Sequence, residues 1–270
     1  MNLLRPHESD LAVDGRKLHL LDWGGAGRTP LLLLHGFTGH AHAWDTLSIA
    51  LQPHFHVYAL DQRGHGDSDP ADVYNPAVAF DDLSGVIDQL GLSALILIGL
   101  SMGGRNAIYF TAKRPDVVQK LVTVDIGPEI SARAAAAPPG PPEPDTWESI
   151  EQAAQHLLRG NPYPGIHYYR WVVSHSLRQR PDGALVWKWH PSVKERRTQI
   201  DFDWWGALRS IPCPTLVLRG EHSHILDRDV AERMGKELPR GRFVEIPRAV
   251  HTLHEDNPDA VVATLKEFLL

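Results

Sequence analysis

The chain has 270 residues, 43% of them hydrophobic and 22% charged, which is enough for one large globular domain with a substantial core. A formal net charge of -6 supplies no basic face for nucleic acid, and scattered Lys and Arg give no attraction to a membrane surface. The single cysteine excludes an internal disulfide; Cys213, set between two prolines before an apolar run, reads as a small buried hydrophobe.

The opening "MNLLRPHESD" lacks the sustained apolar centre of a signal peptide, and nowhere do about 18 apolar residues follow one another. A soluble cytoplasmic protein is the expectation. "DLAVDGRKLHLLDWGG" places two alternating segments about Asp14-Gly15, a hairpin signal. "TPLLLLHGF" reads as a buried strand ending in a glycine loop, and "HVYALDQRGHGDSD" as another strand opening into a turn where Arg63 should pair with Asp61 and His65 is structural. "AVAFDDLSGVIDQL", residues 77–90, has helical spacing and stops at Gly91, a plausible C′ glycine. "ALILIGL" and "KLVTVDIG" are further buried strands, separated by the helix "SMGGRNAIYFTAKR".

Regularity then breaks. Residues 128–145, "PEISARAAAAPPGPPEPD", suggest an irregular connection, and residues 147–205 turn helical and aromatic. Strand-like runs resume at "CPTLVLRGE" and "RFVEIP", each followed by a helical stretch. Alternation of this kind implies α/β layers around a mostly parallel sheet. The expected organisation is a core of residues 1–127 and 206–270, interrupted by a helical insertion at 128–205.

Ser101 stands between Gly99 and Gly103 in "GLSMGG", with a strand before it and a helix after it. That is the context in which G-x-S-x-G marks a nucleophile elbow. The tight bend requires residues without Cβ atoms on either side, and the helix start presents unpaired N–H groups to the serine oxygen. A bland alternative is a serine that merely caps the helix. The Met102 N–H is the natural first oxyanion donor. The Phe37 N–H, after the glycine of "LLLLHGF", is the nominee for the second, each donor being worth roughly 3–4 kcal/mol in the transition state. His35 is expected to orient that loop. A serine hydroxyl needs a base, and His251, on the loop between the last strand and the final helix, is preferred over His254.

"LLLLHGF", "DQRGHGDS", "GLSMGG" and "AVHTLHEDNP" follow one another in the order seen in the α/β-hydrolase superfamily, which the chain resembles from about residue 10 to 270 outside the insertion. The resemblance implies an eight-stranded, mostly parallel sheet with helices on both faces and a helical cap. It also implies Ser101 as nucleophile, His251 as base and the Phe37 and Met102 amides as oxyanion hole. Members usually carry an aspartate three residues after the glycine that follows the seventh strand. Here Gly220-Glu221-His222-Ser223 puts a serine there. Asp125, ending "KLVTVDIG", is the first choice for the acid, as in some family members; Glu221 and Asp227 are alternatives, and Asp227 also suits a helix cap.

The leading expectation is a cofactor-free serine carboxylesterase acting on small to medium apolar acyl groups through an acyl-enzyme. Gly36, Trp171 and Trp204 are expected at the substrate. Serine at the elbow argues against the dehalogenases and epoxide hydrolases of the fold, which use aspartate. Lactone hydrolysis, C–C bond hydrolysis, a lyase like that of menaquinone synthesis (whose elbow "GLSMGGR" approximates) and a weakly catalytic ligand-binding or signalling protein remain alternatives. "HSH", "HFH" and "HAH" have no spaced second cluster, so no metal is expected. The only partner expected is a small ester substrate, with the chain a monomer or homodimer.

Overall fold

The computed structural model describes residues 5–129, 131, 144 and 146–270. Most of the 128–145 connection therefore lies outside the described residues. The chain forms β1 (His7–Val13), β2 (Arg16–Asp22), β3 (Pro30–Leu34), α1 (Asp45–Leu51), β4 (His56–Leu60), α2 (Pro76–Gln89), β5 (Leu95–Leu100), α3 (Met102–Lys113) and β6 (Val118–Val124). After β6 come α4 (Ile150–Gly160), α5 (Gly165–Ser176), β7 (Leu177–Gln179), β8 (Leu185–Trp187), α6 (Ser192–Glu195) and α7 (Trp204–Ser210). The chain closes with β9 (Thr215–Gly220), α8 (Arg228–Glu237), β10 (Gly241–Ile246), α9 (Leu253–Asp256) and α10 (Pro258–Leu269).

Eight strands make one sheet in the order β1-β2-β4-β3-β5-β6-β9-β10, antiparallel from β1 to β4 and parallel beyond. The unbroken leucines of β3 have a simple cause: both faces of the sheet are covered. Leu32 and Leu34 enter one apolar cluster while Leu31 and Leu33 enter the opposite one. Leu97 and Ile98 of β5 divide the same way, as two-residue periodicity requires. Asp14 and Gly15 both take positive φ, 49° and 73°, turning β1 into β2 in two residues. Helix α2 starts on Asn75, whose Oδ1 accepts from the Ala77 and Val78 N–H groups. It ends at Gly91 (φ 64°), where the Leu92 N–H returns to Ile87 and the Gly91 N–H to Asp88.

Three features differ from the sequence reading. A 3-10 turn (Ala41–Trp44) runs into α1 where no helix was read. The excursion after β6 contains an antiparallel pair, β7 with β8, besides its helices. Helix α7 crosses the expected 205/206 boundary; Ala207 and Leu208 join the main core, with Trp204 and Trp205 packed against it. The excursion also has an apolar cluster of its own, centred on Trp147, Ala153, Tyr169 and Val173. Helix α5 seats on the 3-10 turn and the start of α1 through a Ser176 Oγ–His40 Nε2 bond (2.7 Å) and a Trp171 Nε1–Asp45 Oδ2 bond (3.1 Å).

The loops that follow β3, β5, β6, β9 and β10 all emerge at the carboxyl edge of the parallel strands, where α/β sheets bind ligands. Helix α3 lies unusually close to this edge. A Cβ on Gly99 would stand 2.3 Å from the Gly103 oxygen, and one on Gly103 would stand 2.4 Å from the Leu34 oxygen. Both obstacles are backbone, so neither can turn aside. Gly103→Ala should therefore destabilise the protein by about 1–3 kcal/mol in chemical denaturation, as overpacking does. A change below about 0.5 kcal/mol would show that the approach is not tight.

Candidate active site

Ser101 sits at the crossing of β5 into α3 with φ 51° and ψ -115°, a conformation that L-residues rarely occupy. The strain is held from both sides: the Ser101 N–H donates to the Val124 carbonyl and its carbonyl accepts from the Arg105 N–H, each at 3.0 Å. Its side chain opens into a cavity of about 280 Å³ that His251, Gly36, Phe37 and Leu100 also line.

Behind His251 lies Asp125, fully buried at 0% exposure, its Oδ2 2.8 Å from the imidazole Nδ1. A carboxylate can only accept, so Nδ1 carries a proton, and in the neutral ring Nε2 is then the nitrogen with the lone pair. Among the described residues no hydrogen bond joins Ser101 Oγ to the ring. In unliganded enzymes such contacts commonly tighten only when substrate arrives. Asp125 also receives the Ser223 hydroxyl at 2.6 Å and the Gly220 N–H at 3.2 Å. Its own φ is 49°, so a second strained residue stands at this edge.

Of the three carboxylates weighed from sequence, the structure brings Asp125 to His251. Glu221 is exposed and accepts the Arg248 N–H at 2.9 Å. Asp227 precedes α8 without a side-chain cap bond and accepts from Ser131 Oγ at 3.0 Å. Sequence reasoning treated Ser223 only as a missing aspartate. Its Oγ accepts the Ile225 and Leu226 N–H groups (3.1 and 3.2 Å), which fills its lone pairs and aims its proton at Asp125. The signal was present in the unusual serine, but its meaning depended on where β6 ends.

The Phe37 and Met102 N–H groups have no hydrogen-bond partner among the described residues. Phe37 is aimed by its own peptide unit. The Gly36 carbonyl accepts from His35 Nδ1 at 2.7 Å and from the Gly39 N–H at 3.1 Å. In a trans peptide the N–H points the opposite way, away from those donors. His35 is locked in that tautomer because its Nε2 accepts the Gln62 N–H at 3.0 Å. Burial, with His65 nearby, pushes its pKa well below the usual histidine range, so the ring stays neutral. Asn106 Nδ2 then fixes Gln62 at 2.7 Å, tying this loop to α3.

His254 is buried and stacks on Trp44 at 4.0 Å, and burial reinforced by His251 lowers its pKa to about 3. Gly36 stands in the cavity wall, where a Cβ would meet Leu100 Cδ2 at 3.2 Å. Trp204 lines a second, larger cavity, whereas Trp171 lines neither: it is 51% exposed and points at Asp45. Helix α5 turns its buried side, Tyr169, Val172 and Val173, to the cluster of the excursion, which leaves Trp171 outside. The expected Arg63–Asp61 pair is also replaced. Arg63 Nε and Nη2 bond Asp82 at 2.5 and 2.7 Å, while Asp61 accepts the Ala41 and Asp67 N–H groups. Among the described residues His19, Asp61 and Asp67 bring possible ligand atoms within 4.8 Å of one another, but Asp61 is already bonded to backbone and Asp67 to Lys188.

Residues 29–258 match the alpha/beta hydrolase fold family, and the chain belongs to it. It is 29% identical over 248 residues to 2-(acetamidomethylene)succinate hydrolase of Mesorhizobium japonicum, covering 90% of this chain and 89% of that protein. With an esterase of Mycobacterium tuberculosis it shares 29% identity over 273 residues, 95% of this chain and 88% of the other. The crystal structure of E-2-(acetamidomethylene)succinate hydrolase superposes with a TM-score of 0.84 at 25% identity, covering 98% and 99% of the two chains. Membership in this family and the similarity to a hydrolase and an esterase support hydrolase activity.

Two outcomes follow from the geometry. Ser223→Ala removes a charge-assisted bond from a buried carboxylate and should cost about 1–3 kcal/mol of stability in urea melts. No change would mean that Asp125 does not depend on it. Glu255, also in the cavity wall and only 13% exposed, has its pKa raised to about 7 by burial, with Asp256 adding to the rise and bonds from Tyr168 and Thr252 opposing it. The unfolded chain ionises near 4.5, so folding takes up a proton between these values, and stability present below 4.5 is lost as pH rises through 7. Glu255→Gln should therefore gain on the order of 2 kcal/mol over wild type at pH 8 and nothing at pH 4.5. An equal difference at both pH values would contradict this.

Proposed function

We propose that the protein hydrolyses carboxylic esters by way of an acyl-enzyme. Ser101 Oγ attacks the ester carbonyl carbon as His251 Nε2 takes its proton, and Asp125 accepts the Nδ1–H and stabilises the imidazolium. The carbonyl oxygen becomes an oxyanion held by the Phe37 and Met102 N–H groups. His251 returns the proton to the alkoxide, which leaves, and then draws a proton from water as the water attacks the acyl carbon. To receive that proton the leaving group must face His251, within the 280 Å³ cavity. A small to medium apolar acyl chain then extends along Phe37 and Met102, and as the adduct formed by water collapses His251 returns its proton to Ser101 Oγ, which frees the acid.

The observation that carries this reading is the 2.8 Å Asp125–His251 contact at the back of the cavity that Ser101 enters. The similarity to an esterase supports it. Ser223 in the usual position of the acid would favour a ligand-binding role if no carboxylate reached His251; the Asp125–His251 contact supports catalysis instead.

With p-nitrophenyl acetate, butyrate and octanoate, Ser101→Ala should lower kcat by on the order of 10⁴ to 10⁶, and a serine-directed phosphonate should abolish wild-type turnover. A Ser101→Ala protein with near-wild-type turnover would overturn the mechanism.

A further inference from the structure

The second cavity, about 700 Å³, meets the first at Phe37, which lines both. Among the described residues its wall carries Arg63, Arg105 and Arg197 against a single carboxylate, Asp82. Asp82 is consumed by Arg63 through two bonds, and Arg63 also serves the Val73 and Val78 carbonyls. Arg105 and Arg197 have no carboxylate partner among the described residues. Among the described residues Arg105 Nη2 reaches only the Gly127 and Pro128 carbonyls, at 3.2 and 3.4 Å, and its buried Nε meets no partner.

Both guanidinium groups rest on aromatic faces, Arg105 5.2 Å from the Trp204 ring centre and Arg197 5.0 Å from that of Phe37. Such support fixes each group while leaving N–H edges free for a planar oxyanion. Holding the two cations together costs free energy, since burial and the neighbouring Arg197 charge both push the Arg105 pKa down. An anion between the two would relieve both effects. The rest of the wall includes Leu18, Leu60, Leu83 and Ile200, so the approach to the arginines suits hydrocarbon. Arg105 follows Ser101 by one helical turn, about 6 Å along the axis.

We propose that Arg105 and Arg197 bind a carboxylate at the far end of the acyl chain, so that the substrate is the half-ester of a dicarboxylic acid. This rests on the ester-hydrolase reading, because that reading sends the acyl chain past Phe37 and Met102. It explains why Phe37 serves two purposes: its amide faces the ester carbonyl and its ring carries the cation that grips the other end.

The test compares monoethyl glutarate, adipate and suberate with ethyl butyrate, hexanoate and octanoate at pH 7.5. Wild type should favour a half-ester in kcat/KM by at least tenfold, and Arg197→Gln should erase the preference, chiefly through KM. Arg105→Gln should do the same, but its guanidinium also ties two backbone carbonyls, so Arg197, an exposed residue, is the cleaner probe. Calorimetry on the Ser101→Ala protein separates binding from chemistry. Adipate should bind at least tenfold more tightly than to Ser101→Ala/Arg197→Gln, and inorganic phosphate should bind more weakly than adipate. Equal turnover of neutral and half-esters, adipate binding that ignores Arg197, or tighter binding of phosphate would each overturn the proposal. A wild-type enzyme inert to every ester but with Arg197-dependent adipate binding would instead sink the hydrolysis reading and leave the anion site standing.

Discussion

A carboxylate with no exposure to water organises the carboxyl edge of this sheet. Removing Asp125 from solvent is costly unless its oxygens are satisfied, and three donors from three separate segments meet that need. The Gly220 N–H ends β9, the Ser223 hydroxyl belongs to the following turn, and the His251 ring comes from the loop beyond β10. The bonds act in both directions. They make the buried charge tolerable, and they hold one imidazole tautomer with its free nitrogen toward the Ser101 cavity.

The opposite wall of that cavity is built by backbone. Glycines let α3 approach β3 and β5 until atoms of the chain itself fill the space where side chains would begin. The same closeness leaves Met102, half-buried, as the first residue of a helix. The His35–Gln62–Asn106 chain of bonds turns the peptide before Phe37 so that its N–H faces away from its own loop. Strain at Ser101 and Asp125 is thus confined between regular, well-packed strands.

Sequence made the local geometry readable wherever it depended on nearest neighbours. The Asp14-Gly15 hairpin, the Gly91 stop and the strand–turn–helix around Ser101 each rest on residues within a few positions of one another. The resemblance carried the order of the motifs beyond that range. What stayed hidden depended on distance in space. Arg63 bonds Asp82, 19 residues away, because α2 returns across β4's outgoing loop, whereas the nearer Asp61 is taken up by amides. Ser223 looked like a lost acid because its partner lies 98 residues earlier. The 3-10 turn that leads into α1 lies in "HAHAW", whose histidines and tryptophan give little helical periodicity of their own; packing of Trp44 and Leu47 into the core holds the turn and the helix.

The most direct measurement is kcat of Asp125→Asn on p-nitrophenyl butyrate, normalised to active sites titrated with phosphonate. If the buried carboxylate holds His251 in its working tautomer, kcat should fall by on the order of 10³ to 10⁴ while the fold survives. A correctly folded Asp125→Asn protein within tenfold of wild type would contradict the account.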